Sequence, residues 1–343
     1  MSSYSQKRIL IVRPDRIGDV VLSTPISREL KKAYPDCIVG VLLREYTRDI
    51  YANNPNVDQL IIDSEKKDLN SKIQLIKEIR SYNFTHAFML LPTERMNWIL
   101  FFSGIKTRIG VGHKFYQFIT NTKSVYRRKY IPLKHEADYC MDMARKIGVE
   151  TDNLDTEIHL SEEEKVFVDS LKGKFKDVKK ILIGVHTTSG NSSPNWKPSA
   201  YRELILKLKS ISDIQILVTD IQIPDEIKNI DGVLYPPKKS LRELIHIIST
   251  LDLLISSSTG PAHVTAALKV PTITMFCSLP ACSPDLWSPK GNRAINILPD
   301  ENYCGKVCSG NPKQCNFEGE GGISTERVFK AVEMFINELG PYR

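Results

Sequence analysis

Short apolar runs dominated by Ile, Leu and Val recur along this chain, each followed by a polar loop and then by a longer stretch with apolar residues at helical spacing. Runs of that kind read as buried parallel strands, and the stretches between them as amphipathic helices. In the first half, strands are predicted at 8–13, 37–43, 59–62, 85–90 and 107–111, and helices at 19–33, 47–52, 69–81, 94–102 and 135–147. The helix over 19–33 carries Val20, Val21, Ile26 and Leu30 and stops at Tyr34-Pro35. The basic, aromatic stretch 113–130 matches neither period. Residues 152–180 mark a junction, where Ser161 followed by three glutamates is a helix start of capping-box type. The series then restarts, with strands at 180–185, 214–219, 233–235, 251–256 and 270–275 and helices at 200–210, 241–249, 261–268 and 324–339.

Two successive strand–helix series predict an α/β protein made of two doubly wound, Rossmann-like domains facing a central cleft. The expected domains are residues 1–160 and 175–323, joined by a linker helix at 161–174 and followed by a final helix at 324–343. A chain of 343 residues gives each domain enough length for its own core.

Composition changes this picture in three ways. No apolar run approaches the roughly 20 residues that span a bilayer, and the first eight residues lead into no secretory stretch, so a cytoplasmic location is expected. The net charge of +7 lies in the first half, since residues 1–155 hold 25 Lys/Arg against 18 Asp/Glu and the remainder 22 against 22. A basic half implies an anionic partner: an acidic glycolipid, an anionic membrane surface or nucleic acid. The cysteines are the third point. Cys37 and Cys140 read as buried small hydrophobes, whereas Cys304, Cys308 and Cys315, with Cys282 as a fourth candidate, form a late group. That group lacks the paired C-x2-C spacing of a zinc site, and no metal is expected.

Two places carry candidate chemistry. After the first strand comes Pro14-Asp15-Arg16-Ile17-Gly18-Asp19, which has one glycine where a dinucleotide fingerprint needs three. It puts Asp19 at the carboxyl edge of the sheet, where a carboxylate serves either as general base toward a hydroxyl or as a plain helix cap. Gly18 lies beside it, Arg13 and Arg16 flank it as candidates to hold an anionic acceptor, and Asp15 is a weaker competitor for the base. In the second half, Ser258-Thr259-Gly260-Pro261 opens a helix between two buried strands, with His263 in its first turn. Backbone N–H groups at such a start attract anions. His186-Thr187-Thr188-Ser189-Gly190 follows another buried strand of that half and offers more hydroxyls, with Lys197 as a positive charge for a diphosphate. The alternative for both loops is ordinary polar connection, with Trp196 a packing anchor.

Taken together, the segments ILIVRPDRIGDVVLSTPISRELKKAYP, HTTSG…NWKP…YREL and SSSTGPAHVTAALKVPTITMF, in this order and with these separations, resemble the family 9 glycosyltransferases, the ADP-heptose:lipopolysaccharide heptosyltransferases. The resemblance covers almost the whole chain. It implies a GT-B fold, with acceptor bound by the N-terminal domain, nucleotide-sugar by the C-terminal one, and the final helix at 324–343 packing back on the first domain. It further implies Asp19 as general base, Thr187 and Thr188 as phosphate-loop hydroxyls, and Thr259, Gly260 and His263 in the donor site. Two positions depart from the family pattern: Ser258 stands where Asp is usual before Thr-Gly, and Pro194 where Lys is usual before the Trp, with Lys197 after it instead. The implied activity is inverting, metal-independent transfer of heptose or a related sugar from an ADP-sugar, with no cofactor beyond that donor. The acceptor would be a lipopolysaccharide core or related acidic surface glycan, met by peripheral contact at the cytoplasmic face of the inner membrane, and no nucleic acid would be a partner. A nucleotide-sugar epimerase of the same fold and a non-catalytic nucleotide- or glycan-binding descendant stay open as alternatives.

Overall fold

Six strands form the first sheet: β1 (Arg8–Val12), β2 (Ile38–Arg44), β3 (Gln59–Asp63), β4 (His86–Met89), β5 (Thr107–Val111) and β6 (Lys123–Val125). Six more form the second: β7 (Ile181–His186), β8 (Ile214–Val218), β9 (Val233–Leu234), β10 (Leu253–Ser257), β11 (Thr272–Met275) and β12 (Ala294–Ile297). These come from a computed structural model that describes residues 6–66, 68–127, 130–177 and 180–339. The chain divides into two units, Met1–His159 and Leu160–Arg343.

Every strand pair is parallel. The orders are β3-β2-β1-β4-β5-β6 and β12-β11-β10-β7-β8-β9, which are the same doubly wound order once the second is read from its other edge. Each sheet reverses direction between its first and fourth strands, β1 against β4 and β7 against β10. Connections leave these two strands toward opposite faces, opening a crevice beyond their carboxyl ends.

The central strands are mostly apolar, as suits strands of a parallel sheet covered on both faces. Ile9, Leu10, Ile11 and Val12 of β1 are fully buried, each burial contributing roughly 1.5–3 kcal/mol. In β7, a Cβ at Gly184 would fall 2.3 Å from a methyl of Leu251, so glycine lets the loop before β10 press on the strand.

Several expectations require correction. The helix over 19–33 is two helices, Ile17–Val21 and Thr24–Ala33, because Pro25 has no N–H to continue the first and suits the start of the second. Residues 47–52 form no α-helix; a 3-10 segment covers Glu45–Ile50. The stretch 113–130 holds the helix Phe115–Ile119 and strand β6; Arg128 and Lys129 lie outside the described residues. Strand β12 had no place in the sequence reading; its burial is partial, as suits an edge strand. The expected linker at 161–174 is the helix Glu162–Phe175, packed on the helix Leu241–Ser249 of the second unit. Its capping-box Glu164 also accepts from both Arg242 (2.6 Å) and His246 (3.0 Å), and the Arg242 hydrogen bond in particular holds its carboxyl far below the usual range. The final helix, Thr325–Leu339, buries Val328, Val332 and Phe335 in the core of the second unit, against the helix Pro198–Lys209. Residues 340–343 lie outside the described residues. No described helix is long and apolar enough to cross a membrane.

Candidate functional site

In the first unit the switch point is built around a buried arginine. Arg13 directly follows β1 with only 3% of its surface exposed, and its guanidinium donates to the Leu90 carbonyl after β4 (3.3 Å), to Asp19 (2.7 Å) and to Glu136 (3.1 Å). Asp15 approaches it at 3.6 Å. Glu136, itself buried at the start of the helix Glu136–Arg145, accepts a second arginine, Arg127, whose guanidinium also lies 4.2 Å over the Tyr139 ring. Charges taken out of water persist only when paired and hydrogen-bonded in this way.

Asp19 sits in the first turn of the helix Ile17–Val21, half-buried, and caps nothing; the N-cap of that helix is Arg16, with no side-chain cap. Burial raises its pKa to about 6 although Arg13 pulls the other way. A partly accessible carboxylate in that range accepts a proton readily near neutral pH. Gly18 and exposed Arg16 border it. Three of the Arg13 hydrogen bonds go to Asp19, Glu136 and the Leu90 carbonyl, whereas its Nε makes none. Arg127 is the more exposed of the two arginines, at about one-fifth. It and Glu136 escaped the sequence reading: Arg127 lay in the unassigned stretch, and the one signal for Glu136 was an acid among Ala137, Cys140 and Met141 on the apolar face of its helix.

The second switch point joins the loops after β7 and β10. Asn195 ties them together, donating to the Thr187 carbonyl (2.8 Å) and accepting from Tyr201 and from Ser257 at the end of β10 (both 2.7 Å). Thr187 and Thr188 are organised from beneath by Asp220, which follows β8 and is fully buried at its side chain. Its carboxylate accepts all four of their donors, the two N–H groups at 2.8 and 2.9 Å and the two hydroxyls at 3.0 and 2.7 Å. Both hydroxyls thus donate to Asp220, which fixes the loop from its inner side. His186 bonds Thr219 at 3.0 Å, and burial lowers its pKa. Asp220 was missed although an acid directly after a buried strand is itself a signal.

After β10, Ser258 and Thr259 lead into the helix Gly260–Ala267, with Thr259 as N-cap and Pro261 in its first turn. The buried Thr259 hydroxyl makes no side-chain cap bond and has no hydrogen-bond partner. Ser256 and Thr274, paired across β10 and β11, also carry buried hydroxyls with no partner. His263 is buried in the first turn. The helix start thus gathers the Thr259 hydroxyl, backbone N–H groups and the His263 ring. Lys197 is not brought to this point: it follows the buried Trp196 at the N-cap of the helix Pro198–Lys209, and its ammonium pairs with Glu318 at 2.7 Å, both half-exposed. The buried cation beside the loop is Lys238, which donates to the Pro236 carbonyl (3.2 Å); burial lowers its pKa and Asp220 opposes that.

Cys304 lies 3.9 Å from Cys277, sulfur to sulfur, and all seven cysteines are free. Among the described residues no group of three or more His, Cys, Asp or Glu side chains is placed to hold a metal ion.

Known proteins give this geometry its context. The model of glycosyltransferase family 9 (heptosyltransferase) matches residues 72–315. A lipopolysaccharide heptosyltransferase 1 of Campylobacter coli is 26% identical over 299 residues, covering 80% of this chain and 85% of its own. A lipopolysaccharide heptosyltransferase 2 of Salmonella typhimurium is 22% identical over 357 residues, covering 97% and 99%. Among solved structures, a family 9 glycosyl transferase from Veillonella parvula superposes with a TM-score of 0.79 at 23% identity, covering 97% of each chain. The ADP-heptose lipopolysaccharide heptosyltransferase II of E. coli superposes with a TM-score of 0.76 at 18% identity, covering 96% of this chain and 99% of its own. An E. coli heptosyltransferase solved with ADP gives a TM-score of 0.70 at 16% identity, again covering 96% and 99%. The fold is GT-B, and the chain belongs to glycosyltransferase family 9, the heptosyltransferases.

Proposed function

We propose that this glycosyltransferase moves heptose from ADP-heptose to an acidic glycan acceptor of the lipopolysaccharide core type, with inversion and without a metal, in the cytoplasm. The observation that carries the reading is Asp19, a partly accessible carboxylate at the first switch point with a pKa raised to about 6. In the reaction the acceptor hydroxyl loses its proton to the Asp19 carboxylate as its oxygen attacks the anomeric carbon. The bond from that carbon to the diphosphate breaks, and its electron pair leaves with ADP. Arg13 and Glu136 fix the carboxylate, and Arg127 supplies a cation to an acidic acceptor. The second unit takes the donor. Its helix start at Thr259–His263 meets the diphosphate with backbone N–H groups and the Thr259 hydroxyl, while Asp220 shapes the Thr187–Thr188 loop and Lys238 offsets the Asp220 charge.

The family membership and the ADP-containing neighbour support this choice of donor. The test is transfer from ADP-heptose to a heptose-deficient lipopolysaccharide core, with the product anomer assigned by NMR and the assay run with and without chelator. Transfer with inversion, insensitive to chelator and lost in Asp19→Asn, is the expected result. Transfer by Asp19→Asn at the wild-type rate removes Asp19 from the base role.

A further inference from the structure

Between Glu94 and Glu136 the chain has nine Lys or Arg and no Asp or Glu. The same stretch holds eight of the seventeen exposed large apolar side chains among the described residues. So dense a pairing of cation and exposed apolar surface on one segment is unlike a face meant only for water.

The helix Phe115–Ile119 states the point most clearly, because its amphipathicity is inverted. Its inner side is polar and satisfied: Gln117 is buried and donates to the Val111 carbonyl (3.1 Å). Beyond the helix, buried Asn97, Thr120 and Thr122 bond one another at 2.9–3.0 Å. Its outer side is apolar, with Phe115 79% and Phe118 84% exposed and Ile119 about half exposed, at i, i+3 and i+4 on one face. The Arg108 guanidinium joins this helix to its neighbour, donating to the Thr120 carbonyl and lying 5.2 Å from the Phe101 ring. Phe101 in turn packs with Trp98 and exposed Phe102 at ring separations of 5.4–5.9 Å. Exposed Lys114 and Lys123 flank the helix.

We propose that this face of the first unit docks on an anionic lipid bilayer, the Phe115–Ile119 helix lying in the headgroup boundary with Phe115, Phe118 and Ile119 inserted. Aromatic and aliphatic anchors bury apolar area there, while flanking lysines keep their charge among the headgroups. Lys114 and Lys123, exposed beside the inserted helix, are drawn to the negative surface potential. The same charge argues against a second copy of the chain as occupant, because a symmetric contact through this face would press like charges together. The inference rests on the proposed function only in expecting a membrane-held acceptor.

Sedimentation of the full chain with phosphatidylcholine vesicles, with and without phosphatidylglycerol, tests it. No glycolipid or nucleotide is present, so a failure here is distinct from a failure of transfer. Wild type is expected to bind the anionic vesicles and to bind neutral ones about tenfold more weakly. The double variant Phe115→Ser/Phe118→Ser, changed at two solvent-facing positions, is expected to lose about tenfold or more of that affinity. Lys114→Gln/Lys123→Gln is expected to weaken binding to anionic vesicles alone, and Val166→Ser, an exposed apolar position of the second unit, to change nothing. Absence of wild-type binding to anionic vesicles, or full binding by the phenylalanine double variant, overturns the proposal. So does capture of single-stranded RNA through the same residues with vesicles ignored.

Discussion

The two switch points share a topology and differ in chemistry. Beyond β1 and β4 the chain stacks three carboxylates, Asp15, Asp19 and Glu136, around two arginines, so that burial strains one of the acids toward its neutral form. Beyond β7 and β10 it places hydroxyls and a helix start, and turns the single buried acid, Asp220, inward onto Thr187 and Thr188. In the function proposed above, one crevice takes up a proton and the other receives an anion. The fold supplies both crevices; the side chains at the strand ends decide what each can do.

Replacing the first site's acid gives the largest expected effect. Asp19→Asn keeps the shape and one hydrogen bond from Arg13, and transfer should fall by about 10²–10⁴-fold, the usual worth of a general base. The wild-type rate should fall as pH drops through about 6, because the base works only when ionised and its pKa is raised to that region. A flat profile between pH 5 and 8 would break the contrast between the two sites.

Next comes Asp220→Ala, which strips the acceptor from four donors, two of them buried with Thr187. Loss of about 3 kcal/mol or more from the second unit in denaturant melts is expected, together with about tenfold weaker ADP binding as the loop loses its form. ADP affinity unchanged in the folded variant would show that the Thr187–Thr188 loop does not shape the donor site.

The smallest effects separate the two lysines. Lys238→Met leaves Asp220 without its neighbouring cation and should weaken ADP binding several-fold, whereas Lys197→Met, which only breaks an exposed pair with Glu318, should change it by less than about twofold. The reverse ranking, read by titration, would restore Lys197 to the phosphates.

How much of this was legible beforehand follows from what each signal depends on. Apolar runs and helical spacing are local, so ten of the twelve strands, all but β6 and β12, and the restart near residue 160 could be read from sequence, as could the motifs around Asp19 and Thr259. The misses are non-local. Glu136 meets Arg13 across 123 positions, and Asp220 meets Thr187 across 33, so neither partnership has a spacing to betray it. The pairing of Lys197 with Glu318, 121 positions away, is equally without a spacing to announce it. Pro25, by contrast, was a local signal that divides the second helix from the first, and it was simply outweighed by the apolar spacing around it.

The division of labour between the sites is tested most directly by isothermal titration of ADP into wild type, Asp19→Asn and Thr259→Ala. Thr259 makes no side-chain cap bond, so its loss should spare the helix and report on ligand alone. The account predicts equal ADP affinity for wild type and Asp19→Asn, and about five- to tenfold weaker binding for Thr259→Ala. Loss of ADP binding in Asp19→Asn with wild-type binding in Thr259→Ala would contradict it and move the donor to the first unit.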